Sequence, residues 1–284
     1  MAIRIVTDST CDLPQATIGR YGITVLPLHI NFGRQSSLDG VEITRAEFYE
    51  RLPNYNPAPT TAAPGVDVFK RAYETLERTG ATEILSIHIS ATLSAVTDVA
   101  HVAAKEYPGI PVTVVDSQQL SMGVGFVVEA AAQAASEGLP LRDVLARIDD
   151  RIKRTHVFAA LDTLEYLKRS GRMNGVIAGL GSLLQLKPIL RMHQGKATSE
   201  RVRTGTRAMA RLVEILEQVG PVEQAVLLHT HAPERAEQLH AQAQPWLPIG
   251  PLPSVEITPV IGAHIGPGAV GLAVVSATDD SRGG

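Results

Sequence analysis

Four short runs in the first half of the chain, residues 3–6, 23–30, 83–89 and 111–115, are largely apolar, without the polar alternation of a half-wet strand. A strand of that kind must be covered on both faces, which points to a parallel sheet flanked by helices. Helical patterns fill the gaps. Thr44 heads residues 45–52 with Glu47 three places on, a capping box. Pro64 opens residues 66–79, residues 93–106 follow the third run, and the Ala-rich residues 123–136 suit a helix buried all round. The alternation is that of βαβ units.

After a further helical pattern at residues 140–153 the spacing changes. Strands are predicted at 157–161, 186–192, 196–202, 225–230, 254–261 and 269–276, and helices at 206–219 and 233–243. Asp162 or Thr163 caps a short helix through Arg169. Strands in such close succession predict a mixed or antiparallel sheet with helices on one face. The expected fold is therefore α/β in two domains. A parallel-sheet α/β/α domain spans 1–155, a mixed or antiparallel α/β domain spans 156–284, and the site lies at their interface. No low-complexity linker separates them, so they are expected to pack firmly.

Composition narrows the function classes. With Lys+Arg 26 against Asp+Glu 29, a net charge of −3 gives no phosphate-neutralising surface, and nucleic acid is not an expected partner. Hydrophobic residues reach 44% but aromatics only 4%, so the interior is aliphatic. Cys11 stands alone and can form neither an internal disulfide nor a cysteine zinc site. Residues 1–8 read as a first strand, not a signal peptide, and the expected location is cytoplasmic. Residues 257–278 contain no Asp, Glu, Lys or Arg and are long enough to cross a bilayer. Pro259, Pro267 and four glycines argue against a lipid-exposed helix there. The stretch is expected to be two buried strands joined by a Gly/Pro loop.

In open parallel sheets ligands bind beyond the C-terminal strand ends. Polar clusters at or near such ends are Thr7-Asp8-Ser9-Thr10, Thr60-Thr61, Ser90-Ala91-Thr92-Leu93-Ser94 and Asp116-Ser117. Hydroxyls at helix starts suit an anion, although each could equally be a simple cap. The second half adds Ser170-Gly171-Arg172, the Gly-rich residues 176–184 and Gly262-Ala263-His264-Ile265-Gly266-Pro267-Gly268. Arg172 could form a surface ion pair, and His264 could be a satisfied core histidine.

Several of these motifs follow the order of the DegV family, which the chain resembles from Val6 to Gly268. They are Val-Thr-Asp-Ser-Thr-Cys-Asp-Leu-Pro at 6–14, Thr-Xaa-Xaa-Pro at 61–64, Leu-Ser at 93–94 and Val-Asp-Ser at 115–117. Thr-Leu-Glu-Tyr-Leu-Lys-Arg-Ser-Gly-Arg-Met at 163–173, Leu-Lys-Pro-Ile-Leu at 186–190, Arg-Thr at 203–204 and Gly-Ala-His-Ile-Gly-Pro-Gly at 262–268 complete the set. The resemblance implies a bacterial fatty-acid-binding protein of two α/β domains with a buried acyl-chain tunnel. It implies a long-chain fatty acid as ligand, with no other cofactor and no chemistry of its own. A separate fatty acid kinase would be the partner that converts the presented carboxylate to an acyl phosphate for phospholipid metabolism. The same resemblance puts the carboxylate near Thr61, Ser94, Arg172 and His264, supported by Asp8, Ser9, Thr60, Thr92, Ser117 and Gly262. No transmembrane segment is expected, though transient contact with a membrane surface fits a lipid carrier. The chain departs from the family's usual Ser-Ser-Xaa-Leu-Ser-Gly-Thr-Tyr at 90–97 and Thr-Ser-Gln-Pro at 61–64, which removes hydroxyl and amide groups from the mouth.

Two other classes stay open. A serine hydrolase or acyltransferase would use Ser94 or Ser117 with His264 as base; no Gly-Xaa-Ser-Xaa-Gly elbow occurs, but a triad is a matter of geometry. A metal site would draw on His229 and His231, or on Asp8 with Asp116, and lacks a third ligand. The P-loop motif Gly-Xaa₄-Gly-Lys-Ser/Thr is absent.

Overall fold

The computed structural model describes residues 2–171 and 186–278. It is a mixed α/β structure with three sheets. The first is a parallel sheet of four strands in the order β2 (Thr24–Leu26), β1 (Ile3–Asp8), β6 (Glu83–His88), β7 (Val112–Asp116). Its helices are α1 (Gln15–Tyr21), α3 (Val66–Arg78), α4 (Val96–Glu106) and α5 (Met122–Ser136). A small antiparallel sheet runs β4 (Gln35–Leu38), β3 (His29–Phe32), β5 (Thr60–Ala62), with α2 (Arg45–Arg51) between β4 and β5. The capping box at Thr44 and Glu47 starts α2 as its spacing predicts.

The second half builds a mixed sheet of six strands. Its order is β10 (Lys196–Val202), β9 (Lys187–His193), β8 (Thr155–Ala160), β13 (Val270–Ser276), β11 (Val222–His229), β12 (Ser254–Glu256). Only β11 and β12 pair in parallel. Around it lie α6 (Leu141–Arg154), α7 (Glu165–Arg169), α8 (Gly205–Val219), α9 (Pro233–Ala243) and α10 (Pro259–Ile265). Under α8 and α9 one face of this sheet closes a core of Phe158, Leu212, Leu227, Leu239 and Leu272. The opposite face joins a larger core that is continuous with the parallel sheet, through Val157, Met192 and Ala273 on one side and Ile5, Leu85 and Val127 on the other. Helix α5 is the pillar between the two sheets, and small residues let it approach both. A Cβ on Gly123 would stand 2.7 Å from Val157, and one on Gly125 would stand 2.7 Å from the Cys11 carbonyl oxygen.

Three expectations need correction. Residues 23–30 are not one strand: the chain breaks after Leu26, at Pro27-Leu28, and β2 and β3 belong to different sheets. A proline supplies no N–H for a continuous ladder. The predicted strand at 254–261 stops at Glu256, because Pro259 has the fixed φ of a first helical residue and α10 begins there. The charge-free stretch is therefore a helix followed by β13, not two strands. Gly266, at φ +77°, closes α10 in a conformation that residues with a Cβ adopt with strain. Finally, Thr60-Thr61 do not open a helix but form β5, whose pairing with β3 sets Ile30 opposite Thr61.

Candidate functional site

A cavity of about 250 Å³ lies where the ends of β1 and β6 face β5, α7, β9 and α10. Leu28, Ile89, Leu93, Leu120, Leu167, Leu190 and Ile261 give it an apolar wall. Its polar groups come from four places: Thr10 after β1, Thr61 on β5, Ser94 in the turn before α4, and His264 on α10. The described residues that line it include no Asp, Glu, Lys or Arg. Among these described residues, an anion would be met by hydroxyls, backbone N–H groups and the histidine.

Thr61 Oγ1 and His264 Nε2 share a hydrogen bond of 2.9 Å across 203 positions of sequence. On β5, Thr61 is half-buried between two exposed neighbours, so its side chain points inward while Thr60 and Ala62 face out. On α10, Val260, Ile261 and Ile265 face the cavity beside His264. The N–H groups of Leu93 and Ser94 both donate to the Ser90 carbonyl, at 2.9 and 3.2 Å, which curls the chain and turns Ser94 to the rim.

Of the four residues implied for the carboxylate, Thr61, Ser94 and His264 thus border one cavity; Arg172 lies outside the described residues, as do residues 176–184. The supporting positions scatter. Asp8 stands behind the wall, where its carboxylate accepts from Thr10 N at 3.0 Å, Thr10 Oγ1 at 2.5 Å, Ile89 N at 3.1 Å and His88 Nδ1–H at 3.0 Å. Burial would raise this carboxyl, but the hydrogen bonds from His88, Thr10 and Ile89 outweigh it and hold it below the ordinary carboxylate range. Ser9 lines a separate polar pocket with Asp12, Asp39 and Arg45. Thr60 is exposed. Thr92 reaches across to the β9–β10 turn, donating to the Gly195 carbonyl at 3.3 Å. Ser117 is buried and accepts from Gln119 N at 3.3 Å. Gly262 lets α10 cross Tyr49, whose hydroxyl would stand 2.3 Å from a Cβ there.

The other two chemistries find no such assembly. His264 Nε2 is engaged with Thr61 rather than with Ser94 or Ser117. A buried Asp–His–Ser chain does exist, but elsewhere: Asp8, His88 and Ser86, extended to Tyr73 by contacts of 3.0, 2.7 and 2.9 Å. All four side chains are fully buried, so it braces β1, β6 and α3 and meets no substrate. Among the described residues no three His, Cys, Asp or Glu side chains gather as a metal site requires. Asp116 caps its own turn by accepting from Gln118 N at 2.7 Å. His231 pairs with Glu256 at 3.4 Å, and His229 Nδ1 accepts from Ala232 N at 3.3 Å.

Leu120 is a cavity residue that sequence reasoning missed, and Leu190 appeared there only as part of a shared motif, with no role at the site. For Leu120 and Leu190 no local signal exists, because an apolar side chain lining a cavity is indistinguishable in sequence from one filling a core. Thr10 belongs to the polar cluster that the sequence marks after β1, although it is not among the residues implied for the carboxylate.

Fold and site together define a three-sheet α/β protein that encloses an apolar cavity with a polar rim. The family model described as "Uncharacterised protein, DegV family" matches residues 2–277, and the chain belongs to that family. It is 38% identical over 279 residues to a DegV domain-containing protein of Streptomyces coelicolor, covering 96% of this chain and 98% of that one. Among solved structures it is similar to a DegV family protein of Thermus thermophilus described for its fatty acid binding, with 35% identity and a TM-score of 0.88 over 98% of this chain and all of the other. It is also similar to DegV of Bacillus subtilis, described as a fatty acid binding protein, with 28% identity, a TM-score of 0.89 and the same coverage.

Proposed function

We propose that the protein is a fatty-acid carrier. It sequesters a long-chain fatty acid in the apolar cavity and presents the carboxylate to a fatty acid kinase, which would form the acyl phosphate. The observation that carries this reading is the Thr61–His264 hydrogen bond on the rim of a cavity walled otherwise by aliphatic side chains, with Ser94 beside it. A hydroxyl and an imidazole locked to one another are pre-aligned for a carboxylate oxygen. Arg172, two residues after Ser170 in the shared motif, is proposed to neutralise the charge. Chain burial at ~0.8 kcal/mol per methylene supplies most of the gross affinity, and the rim sets orientation. The fatty acid binding described for the Thermus thermophilus and Bacillus subtilis relatives supports the ligand class. The kinase partner rests on the shared motifs alone. Action in the cytoplasm, with transient contact with a membrane surface for lipid exchange, belongs to the same proposal; no helix among the described residues is long and apolar enough to cross a membrane.

Native mass spectrometry of the purified protein tests it. The expected result is an adduct of fatty-acid mass and saturable binding of added oleate. Thr61→Val should weaken oleate about tenfold or more while oleyl alcohol changes little, because only the ionised headgroup needs the charge-assisted bonds. No adduct together with no oleate binding overturns the proposal.

A further inference from the structure

The main cavity shares a wall with a neighbour. A second compartment of about 70 Å³ adjoins it, and the same five side chains, Leu93, Leu120, Leu190, Ile261 and Ile265, line both. The two differ in character. Thr61, Ser94 and His264 border only the larger compartment. The smaller is almost wholly apolar. Of its polar residues, Ser121 turns its hydroxyl away to donate to Asp12 at 2.6 Å, and Arg191 is only half-buried. Its floor is the six-stranded sheet, with Val157 and Phe158 on β8, Met192 on β9 and Ala197 on β10. Ala197 and Met192 are direct cross-strand partners.

Volumes give this a scale. An engineered cavity of roughly 150 Å³ accepts benzene, so a buried carbon needs about 25 Å³. On that measure the larger compartment of about 250 Å³ holds about ten carbons. The smaller, of about 70 Å³, holds about three more. Exchanging Ala197 for leucine adds three carbons and so occupies a volume equal to the whole second compartment. Met192 is the adjustable part: an unbranched thioether can change rotamer where a β-branched or aromatic side chain would not.

We infer that the smaller compartment receives the methyl end of the fatty acid, and that Ala197 and Met192 set the chain length, about thirteen carbons with Met192 in place. This deepens the fatty-acid reading and rests on it. Longer chains enter only as Met192 swings aside.

The test is a series of dissociation constants for saturated acids of ten to eighteen carbons on wild type, Ala197→Leu and Met192→Ala. Each methylene that loses its berth should cost about fourfold in affinity, hence about sixtyfold across three. Ala197→Leu should therefore bind the ten-carbon acid as wild type does, which also shows that it is folded, and lose about sixtyfold for the fourteen-carbon acid. Met192→Ala should move the preferred length upward by two or three carbons. If Ala197→Leu binds ten- and fourteen-carbon acids in the wild-type ratio, or if both variants leave the length profile unmoved, the inference falls while the carrier reading stands. Wild-type protein that binds none of the acids overturns both.

Discussion

Asp12 and His156 show how single buried groups can set opposing pH dependences in one fold. Burial pushes the Asp12 carboxyl up to about 6 despite the Arg45 guanidinium 3.0 Å away and hydrogen bonds from Ser121 and the Thr258 N–H. Between its ordinary 3.8 and that value the native state keeps a proton that the unfolded chain has released, so stability falls as pH rises from about 4 to 6. His156 behaves in the reverse sense. Burial, with His193 and Arg191 nearby, lowers it to about 4, and its ring stacks on His193 at 3.9 Å. Between about 4 and 6.5 the unfolded chain binds a proton the native state refuses, so stability rises with pH. Urea midpoints at pH 4, 5 and 6 separate the two. Asp12→Asn should make stability climb more steeply with pH, by up to about one linked proton, and His156→Gln should make it climb less. An unchanged slope in Asp12→Asn would mean that the carboxyl binds no more protons in the native state than in the unfolded chain. None of this is legible in sequence: Asp12 reads there as one more polar residue of a turn, and its environment is made by Arg45 and Thr258, which arrive from far along the chain.

At the level of elements, α10 carries the most consequence for the site, since it brings His264 to Thr61. Its seat depends on a close crossing. The Tyr49 hydroxyl of α2 donates to the Ile257 carbonyl at 2.8 Å, and Gly262 passes directly over that ring. Gly262→Ala must push α10 off a fully buried tyrosine. The expected cost is about 1–3 kcal/mol in urea unfolding, with weaker fatty-acid binding as His264 withdraws from Thr61. Wild-type stability and affinity together would show that Tyr49 yields instead. The elements legible in sequence are those whose signals are local. The Thr44–Glu47 capping box starts α2, and α6 buries Val144, Ile148 and Ile152 at four-residue spacing. Strands β4 and β5 were not legible, because Gln-Ser-Ser-Leu and Thr-Thr-Ala have no apolar alternation and are strands only through pairing with β3. The helix at 259–265 was hidden for a related reason: burial makes its residues as uniformly apolar as those of β13.

The whole molecule is tied across its length as well as packed. Asp12 accepts from the Thr258 N–H, Thr258 donates to Asp39, Arg45 donates to the Glu256 carbonyl, and Gln119 donates to the Thr155 carbonyl at 2.9 Å. The larger core runs without interruption from the parallel sheet to the six-stranded sheet. A structure so joined is expected to unfold in one step, although its strands fall into separate sheets. Trp246 packs on the core under α8 and α9 and reports on the far face of the six-stranded sheet. Its fluorescence and far-UV circular dichroism should lose structure at the same urea midpoint, and oleate should move both equally. Two distinct midpoints would show that the halves unfold independently. What the sequence alone determined is the α/β class, the alternation that demands a parallel sheet, the capping-box start of α2, and the polar motifs that contain Thr61, Ser94 and His264. Each is written in residues a few positions apart, where helix and strand periodicity and capping act. Tertiary structure alone decided that residues 23–30 divide between two sheets, that Thr61 meets His264, and that part of the aliphatic content borders a two-compartment cavity instead of filling a core. Those outcomes depend on contacts between residues up to hundreds of positions apart, whose energies no local pattern encodes.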